Sequence, residues 1–456
     1  MAATEKGVWN LQEVRDKQLA SEWAYDAPSS SFNQTWTTGA SAMLGVSLSG
    51  PASRSSPVQV PGTSWGGPSS LASIKLSTGV GELFRMWLKN DGTIWGAGSG
   101  RKLGQNNPTT YSSPKQLGTG TDWRSLSTSW AQTVAVKTDG TMYSWGEQSY
   151  GELGQNNNTV YSSPRQIPGT TWGEWVSTAS GYNVSMNIKT DGTLWAWGQN
   201  TKGGLGQNSV TPGISSPVQV GSDTTWDWPV SGGGYHCGAV KTDGTLWTWG
   251  ANDDGQLGHT NKTHYSSPVQ CSSASNVTEA QFAIESSYFV SGTSGFSFGK
   301  NTEGQLGHNN TTSYSSPKSI SGSWKSLCGG TDKVGGGIKT NGTLWAWGDG
   351  GSGALGQNEV SLTSTSPKQI GSGTTWTLIS GVRTGGNGGF LATKSDGTMY
   401  KWGAAGSGAN GLNNETSYSS PIQIPGTLWS QKFYQQNVND ASIHLSIQST
   451  LTPSQL

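Results

Sequence analysis

Histidine, the side chain most often used as a general base or a metal ligand, is rare in this sequence. Its five copies are spread through the chain without a paired metal-binding spacing: His236, His259, His264, His308 and His444. His259 and His308 take the place that Gln155 and Gln207 hold in the same local pattern. The chain also contains no nucleophile elbow and no phosphate-binding loop. We therefore predict that this protein is not an enzyme and uses no metal ion or cofactor.

The cysteines and the turn acids offer no alternative site. Cys237, Cys271 and Cys328 are odd in number and too far apart for a zinc site, so we interpret them as buried thiols of a reducing cytoplasm. Short acids such as Asp139 recur before glycine and could suggest calcium binding. Tight turns prefer Asp and Asn for backbone reasons, and we favour that explanation.

The composition excludes several classes of partner. Of 456 residues only 12% are charged, about half the usual share, and the formal net charge is zero. Such a surface has no electrostatic footprint for nucleic acid or anionic lipid, so we predict no nucleic-acid partner. No segment approaches the length of an apolar membrane span or a secretion signal, which predicts no membrane insertion.

The elements that must position any site come from a repeat. The stretch KTDGTLWAWGQNTKGGLGQN, residues 189 to 208, returns in related form from Lys137, Lys241 and Lys339. Each copy places an apolar run before Asp-Gly and an aromatic run after it, which predicts a β-hairpin. In one unit Gly292 and Thr293 replace this dipeptide and remain compatible with a type II′ turn.

Each unit continues with a leucine between glycines, an SSPVQV-like run whose proline suits a sheet edge, and a lone tryptophan. The prolines of successive units are 49 to 57 residues apart, enough for four short strands. Four-stranded units repeated in this way predict an all-β fold, the β-propeller. We expect the tryptophans at equivalent positions to fill the gaps between blades.

The two ends of the chain complement each other. Residues 36 to 60 resemble the second half of a unit, and residues 428 to 448 resemble a first half. Pairing the N-terminal strands with the C-terminal ones would close the ring and remove two exposed edges. Seven full units lie between, so the count predicts eight blades, with seven as the alternative because Thr38 stands where a tryptophan is expected.

The motif DGTLWAWG, followed by GQLG and SSPVQV, resembles the repeat of the regulator of chromosome condensation family over roughly residues 32 to 448. Members of that family are usually seven-bladed propellers. The resemblance implies the fold more than the function. The family includes guanine-nucleotide exchange factors of small GTPases, chromatin-docking proteins, β-lactamase inhibitors and phage proteins of unknown role.

Residues 1–31 concentrate charge in a chain that is otherwise poor in it, and the stretch GVWNLQEVRDKQLASEWAYDAP is similar to openings of structural proteins of marine tailed phages. Asn10 and Glu13 can form the capping box of a short helix. We predict an attachment segment that docks on another virion protein, with packing against the propeller itself as the alternative. Its expected anchors are Trp9, Leu11, Val14, Leu19 and Trp23.

Variable residues ahead of the turns predict the binding surface, because function in a fixed framework concentrates on loops. We expect these loops to gather at one mouth of the ring and to bind a sugar or a protein, unless their aromatic rings only cap the blade edges. The candidate residues are Trp130, Tyr182, Tyr235, Tyr288, Asp332 and Arg383.

Together these patterns predict a non-enzymatic phage virion protein, assembled in the host cytoplasm. In it, residues 32–456 form a propeller for decoration or for adhesion to a host-surface glycan or protein. The alternative is a cytoplasmic protein-binding propeller that regulates a partner such as a GTPase or an enzyme.

Overall fold

The protein is described here by a computed structural model, in which twelve parts of the chain are placed. They are residues 33–39, 54–59, 78–81, 84–129, 131–178, 183–231, 235–329, 333–382, 388–404, 414, 416–425 and 444–448. Within these parts the chain is all-β, with thirty strands and two short 3-10 helices, Gly100–Leu103 and Gly351–Gly353. No helix within these parts is long and apolar enough to cross a membrane. The predicted N-terminal helix lies outside the described residues.

The strands form small antiparallel sheets in chain order. Sheet 1 contains β3 (Thr78–Gly81), β4 (Phe84–Leu88), β5 (Ile94–Gly98) and β6 (Tyr111–Gln116). Sheet 2 contains β7 (Trp123–Thr128), β8 (Gln132–Lys137), β9 (Met142–Gly146) and β10 (Tyr161–Ile167). Sheet 3 contains β11 (Trp172–Thr178), β12 (Val184–Lys189), β13 (Leu194–Gln199) and β14 (Gly213–Gln219). Sheet 4 contains β15 (Trp226–Ser231), β16 (His236–Lys241), β17 (Leu246–Gly250) and β18 (Tyr265–Gln270).

Sheet 5 has seven strands, because one long strand serves two consecutive units. It contains β19 (Val277–Phe282), β20 (Ser286–Ser291), β21 (Ser294–Gly299), β22 (Tyr314–Gly329), β23 (Val334–Lys339), β24 (Leu344–Gly348) and β25 (Ser364–Gln369). The first part of β22 pairs with β21 and its last part pairs with β23. Sheet 6 contains β26 (Trp376–Val382), β27 (Gly389–Lys394), β28 (Met399–Gly403) and β29 (Tyr418–Ile424).

The first two described strands and the last one form a three-stranded sheet, sheet 7, which contains β1 (Asn33–Gly39), β2 (Arg54–Gln59) and β30 (His444–Gln448) in the order β2-β1-β30. The pairing of β1 with β30 is antiparallel and runs from Asn33 opposite Gln448 to Thr37 opposite His444. The first and last described strands therefore share one ladder.

The repeated turn explains why Asp-Gly follows the second strand of each unit. In sheet 2, Gly140 has a φ of 79° and its N–H donates to the carbonyl of Lys137 at 3.0 Å. Asp139 Oδ1 accepts from both the backbone N and Oγ1 of Thr141, at 2.8 and 2.6 Å. Glycine supplies the left-handed conformation and aspartate holds the turn by its side chain, so the predicted hairpin is confirmed.

The prolines lie on edge strands, as predicted. Pro164 stands in β10, at the edge of sheet 2, where the register shifts between Tyr161 and Arg165. The outer side of an edge strand has no neighbouring strand to bond to, so a proline without a backbone N–H loses no hydrogen bond at this position.

Buried indoles join successive sheets, which gives the propeller arrangement. Trp197 of sheet 3 has no exposed surface, and its Nε1 donates to the carbonyl of Glu152 in the preceding unit at 2.8 Å. The same bond recurs from Trp145 to Lys102, Trp249 to Gly204, Trp347 to Gln305 and Trp402 to Ala354. The prediction that framework tryptophans fill the gaps between units is confirmed.

A second hydrogen bond crosses the same boundaries in the opposite direction. The N–H of Asn156, in the loop after sheet 2's third strand, donates to the carbonyl of Ser215 on the edge strand of sheet 3 at 2.6 Å. Asn156 has a φ of 58°, a conformation that asparagine tolerates better than most residues. Equivalent bonds link Asn106 to Ser162, Asn208 to Ser266, Thr260 to Ser315, Asn309 to Thr365 and Asn358 to Ser419.

Candidate functional site

Most of the predicted site residues lie outside the described residues, so their prediction stays untested. These are Trp130, Tyr182, Asp332 and Arg383 of the binding loops and Trp9, Leu11, Val14, Leu19 and Trp23 of the attachment segment. Tyr235 is described; it is half-buried and directly precedes β16.

The placement of Tyr288 in a loop was wrong. Tyr288 lies within β20, has no exposed surface, and donates its hydroxyl hydrogen bond to the carbonyl of Gln305 at 2.8 Å. Burial raises the pKa of this phenol. Strand alternation directs the side chain into the core between units, where Trp347 donates to the same carbonyl. Tyr288 therefore fills the core and cannot present its ring to a ligand.

Three of the histidines, His236, His259 and His308, are dispersed over different sheets and serve the packing. His236 is fully buried, stacks on Phe282 with ring centroids 4.9 Å apart, and places Nε2 3.1 Å from Ser287 Oγ. Burial lowers the pKa of His236 to about 3, so the ring is neutral. His259 contacts Thr248 Oγ1 and His308 contacts Ser297 Oγ, each at 2.9 Å.

The three cysteines are free and buried, and within the described part of the chain no group of three or more His, Cys, Asp or Glu side chains could hold a metal ion.

A different set of residues does recur at the surface, at the turn end of the sheets. In sheet 3, Lys189 Nζ lies 4.1 Å from the ring centroid of Trp195 and 4.5 Å from that of Trp172. Trp195 Nε1 donates to Thr193 Oγ1 at 2.9 Å, and that hydroxyl donates to Asp191 Oδ1 at 2.6 Å. The hairpin turn thus fixes the indole over which the lysine lies.

We call this arrangement a lysine–aromatic cluster. It occurs five times in the described residues: Lys137 with Trp123 and Tyr143, Lys189 with Trp172 and Trp195, Lys241 with Trp226 and Trp247, Lys339 with Trp324 and Trp345, and Lys394 with Trp376 and Tyr400. In each cluster the first aromatic residue is buried and the second is half-buried. Each cluster therefore offers part of an aromatic face beside a cation.

The clusters differ in whether the lysine is paired with an acid. Lys137 Nζ lies 3.1 Å from Asp122, and Lys241 Nζ lies 2.5 Å from Asp223. Lys189, Lys339 and Lys394 form no ion pair with another described residue. Burial lowers the pKa of Lys189 and of Lys339.

The sequence analysis missed these lysines, although a signal was present. A lysine stands two residues before the turn Asp or Asn in all four quoted copies of the repeat. A hairpin turn does not require lysine at that position, so its recurrence needed a second explanation. The contact with two aromatic rings supplies one.

The repeat pattern matches the family model described as the regulator of chromosome condensation (RCC1) repeat in four stretches, residues 139–188, 191–240, 243–286 and 296–331. Over these four stretches the chain is similar to the regulator of chromosome condensation repeat. The matched stretches contain aromatic residues of four of the five lysine–aromatic clusters and none of the cluster lysines.

Curated relatives match only in part. The chain is 27% identical over 271 residues to the human E3 ubiquitin-protein ligase HERC2, which covers 55% of this chain and 5% of that protein. It is 38% identical over 80 residues to the zebrafish (Danio rerio) Protein RCC2 homolog, covering 17% of this chain and 16% of that protein. The chain thus spans a small fraction of the length of these relatives.

Solved structures share the fold. Prp20p from Saccharomyces cerevisiae matches with a TM-score of 0.55 and 19% identity, covering 82% of this chain and 93% of that chain. Human WBSCR16 matches with a TM-score of 0.57 and 17% identity, covering 92% of this chain and 100% of that chain. At this identity the likeness concerns the fold alone.

Proposed function

We propose that this chain is a protein-binding propeller without catalytic activity of its own, which regulates a partner protein such as a GTPase or an enzyme. The observation that carries the proposal is the recurrence of lysine–aromatic clusters at the same place in successive units. Packing between the sheets needs only the buried aromatic residue of each cluster, so it does not explain why a half-buried aromatic residue and a lysine recur beside it.

The chemistry of the clusters suits a protein interface. Aromatic residues that are partly exposed and rigidly held contribute large contact area at low entropic cost, and they dominate many interface hot spots. In sheet 3 the second aromatic residue, Trp195, is held by a hydrogen bond to Thr193, which in turn donates to Asp191. Three of the lysines form no ion pair with another described residue, although the turn acids Asp191 and Asp396 act on Lys189 and Lys394 at longer range, so an acidic partner would find ammonium groups open to an ion pair.

The relatives support a protein partner as the class of ligand. The structural study of yeast Prp20p reports its binding properties to Gsp1p and histones. A second matching structure, with a TM-score of 0.54, 18% identity and coverage of 83% of this chain and 92% of that chain, is of yeast RCC1 (Prp20) bound by Kap60. Because this chain covers 5% of HERC2, the ligase activity of that protein is not transferred.

The predicted phage virion role has no support among the relatives named above, none of which is a virion protein. The predicted attachment role of residues 1–31 lies outside the described residues and stays a prediction.

We also propose that residues 32–456 form one ring of eight units. Three counts support it: five four-stranded sheets, a seven-stranded sheet whose β22 belongs to two units, and the sheet that joins the chain ends. The ladder between β1 and β30 supports closure of this ring.

A photo-crosslinking experiment tests the binding proposal. Tyr143→p-benzoylphenylalanine places the crosslinker in a cluster, and Val210→p-benzoylphenylalanine places it at a residue that is 64% exposed in the loop before β14. In an extract of the native source we expect one dominant crosslinked protein from position 143 and not from position 210. Equal crosslinking from both positions, or none from position 143, would contradict a binding role of the clusters.

A further inference from the structure

The cluster of Lys394, Trp376 and Tyr400 opens onto a pocket of about 480 Å³. Gly373, Asn358 and Pro421 also line it. We propose that this pocket binds the side-chain carboxylate of an aspartate or glutamate on a partner protein. The inference rests on the proposed function, since it names the chemistry that one cluster recognises.

The chain itself contains a filled copy of the same site. Residues 221–226 read GSDTTW and residues 371–376 read GSGTTW, so Asp223 stands where Gly373 stands and the other five residues are identical. The backbones also correspond: the N–H of Trp226 donates to Gly192 at 3.2 Å and that of Trp376 donates to Gly342 at 3.1 Å. The two segments can therefore be compared position by position.

In the filled copy a carboxylate occupies the space beside the lysine. Asp223 Oδ2 lies 2.5 Å from Lys241 Nζ, and Oδ1 accepts from Thr225 Oγ1 at 3.0 Å. The aspartate lies beside the aromatic pair over which Lys241 is held, with Nζ 4.9 Å from the Trp226 ring centroid and 3.8 Å from that of Trp247. The protein thus satisfies this lysine with an acid from its own chain.

In the open copy the corresponding acid is missing and its partners remain. Lys394 Nζ lies 4.9 Å from the Trp376 ring centroid and 4.6 Å from that of Tyr400, and it donates to the Tyr400 hydroxyl at 3.3 Å. One such bond leaves two ammonium protons for a ligand, and Lys394 has no ion pair with another described residue. Thr375 matches Thr225, so the hydroxyl donor is conserved between the two copies.

A second buried donor faces the same space. Trp376 is 6% exposed, and its Nε1 has no acceptor among the described residues. A side chain on Gly373 would place its Cβ 3.3 Å from this nitrogen, so the glycine is what keeps the indole edge open to the pocket. In the filled copy Trp226 Nε1 also has no hydrogen-bond acceptor in the described part of the chain, so Asp223 does not bond to the indole. We therefore expect the ligand carboxylate to bind the lysine, and the nearby indole N–H to report this binding by a change in its NMR signal.

The first test measures binding of a carboxylate probe to the full chain. With 15N-labelled tryptophan, the Trp376 indole signal is assigned by its loss in Trp376→Phe, and the protein is titrated with N-acetylaspartic acid amide. We expect a saturable shift of this signal, absent with the neutral isostere N-acetylasparagine amide. Lys394→Met should weaken binding about tenfold or more, since it removes a charge-assisted hydrogen bond. Lys262→Met, at an exposed lysine of another unit, should leave binding unchanged.

Equal shifts with both amides, or unchanged binding in Lys394→Met, would overturn the proposal. A stronger response to N-acetylglycine, which carries only a terminal carboxylate, would also overturn it in favour of a chain-end ligand.

The second test exchanges the two copies. Gly373→Asp should close the open pocket with an internal acid and abolish the probe-induced shift of Trp376, while the melting temperature is maintained. Asp223→Gly should open the filled copy, so that the Trp226 indole now responds to the probe. Probe binding that survives Gly373→Asp contradicts the proposal. Loss of the crosslink at position 143 with intact probe binding would instead contradict only the proposed function.

Discussion

Trp197 Nε1 and the carbonyl oxygen of Glu152 are 2.8 Å apart and belong to different units of the propeller. This bond, made by an indole with no exposed surface, combines packing with a directional contact across the boundary. Because the same pair of positions recurs at four other boundaries, we expect the stability of the propeller to depend on a small set of equivalent contacts.

Trp197→Ala should therefore lower the free energy of unfolding by about 3–5 kcal/mol, the usual cost of removing a large aromatic side chain from a core. Trp197→Phe should cost less, because Phe298 takes the equivalent place in sheet 5. Trp195→Ala, at a half-buried position of the same strand, is the matched control. Denaturant unfolding measures all three, and an unchanged midpoint for Trp197→Ala would show that the boundary is not packed as described.

His236 should make the protein sensitive to mild acid. Its pKa is lowered to about 3 in the folded protein, against 6.5 for an ordinary histidine, because burial disfavours the charged ring. The unfolded chain binds the proton first, so stability is lost as pH falls below 6.5 and the loss reaches about 2 kcal/mol at pH 5. At pH 7 and above this contribution is absent.

His236→Gln isolates this effect. Gln132 occupies the equivalent position of sheet 2 and donates to Ser185 Oγ at 3.1 Å, as His236 Nε2 contacts Ser287 Oγ at the same distance. The variant should retain the contact and lose about 2 kcal/mol less stability than the parent between pH 7 and pH 5. Parallel unfolding curves at both pH values provide the measurement; identical pH dependence in the two proteins would refute the assignment.

Lys401 is a second buried titratable group whose removal should stabilise the protein. It is 1% exposed, its Nζ donates to the carbonyls of Trp402 and Ala404, and burial lowers its pKa to about 7. Equivalent strands carry Ala196 and Ala346 at this position. Lys401→Met keeps most of the volume without the charge, so we expect a gain of roughly 1–3 kcal/mol at pH 7.

The gain should shrink at pH 9 to 10, because stability of the parent rises between the folded Lys401 pKa of about 7 and the ordinary lysine pKa of 10.5, as the unfolded chain loses the proton that the folded protein does not hold. Thermal melting at the two pH values tests this. A lower melting temperature for Lys401→Met at pH 7 would contradict it.

The ladder between β1 and β30 predicts the effect of a C-terminal truncation. Deleting residues 430–456 removes β30 and leaves β1 with an unpaired edge, so the melting temperature should fall sharply. Deleting only residues 449–456 retains β30 and serves as the control. If both truncations melt like the full chain, the proposed ring closure is wrong.

The sequence predicted local features well because their causes are local. The turn at Asp139 and Gly140, the proline at an edge and the burial of Trp197 each follow from residue type and spacing within one unit. The error at Tyr288 arose where the unit lacks the Asp-Gly marker, so the distance from the turn no longer fixed the register. The connection between the first two strands there is residues 283–285, ahead of Tyr288.

The recurrence of the cluster lysines is visible in the sequence, but the partners of each lysine could not be predicted from it. Lys241 and Asp223 are 18 residues apart, on either side of two strands, and nothing local indicates that their charges meet. The space left by Gly373 is likewise visible only when the rings that surround it are placed. Contacts between side chains on different strands and loops could be found only from the structure.

The loop that carries Glu152 and Asn156 accepts one hydrogen bond from the next unit and donates another to it, and the same two bonds recur around the propeller. Five of the described boundaries use both bonds, whereas between sheets 4 and 5 Phe298 replaces the indole and only the bond from Thr260 to Ser315 is kept. A unit duplicated or exchanged as a whole carries its coupling with it on both sides. Recombination between repeats at these boundaries can therefore change which clusters contain an internal acid and which stay open, while the contacts between units are kept.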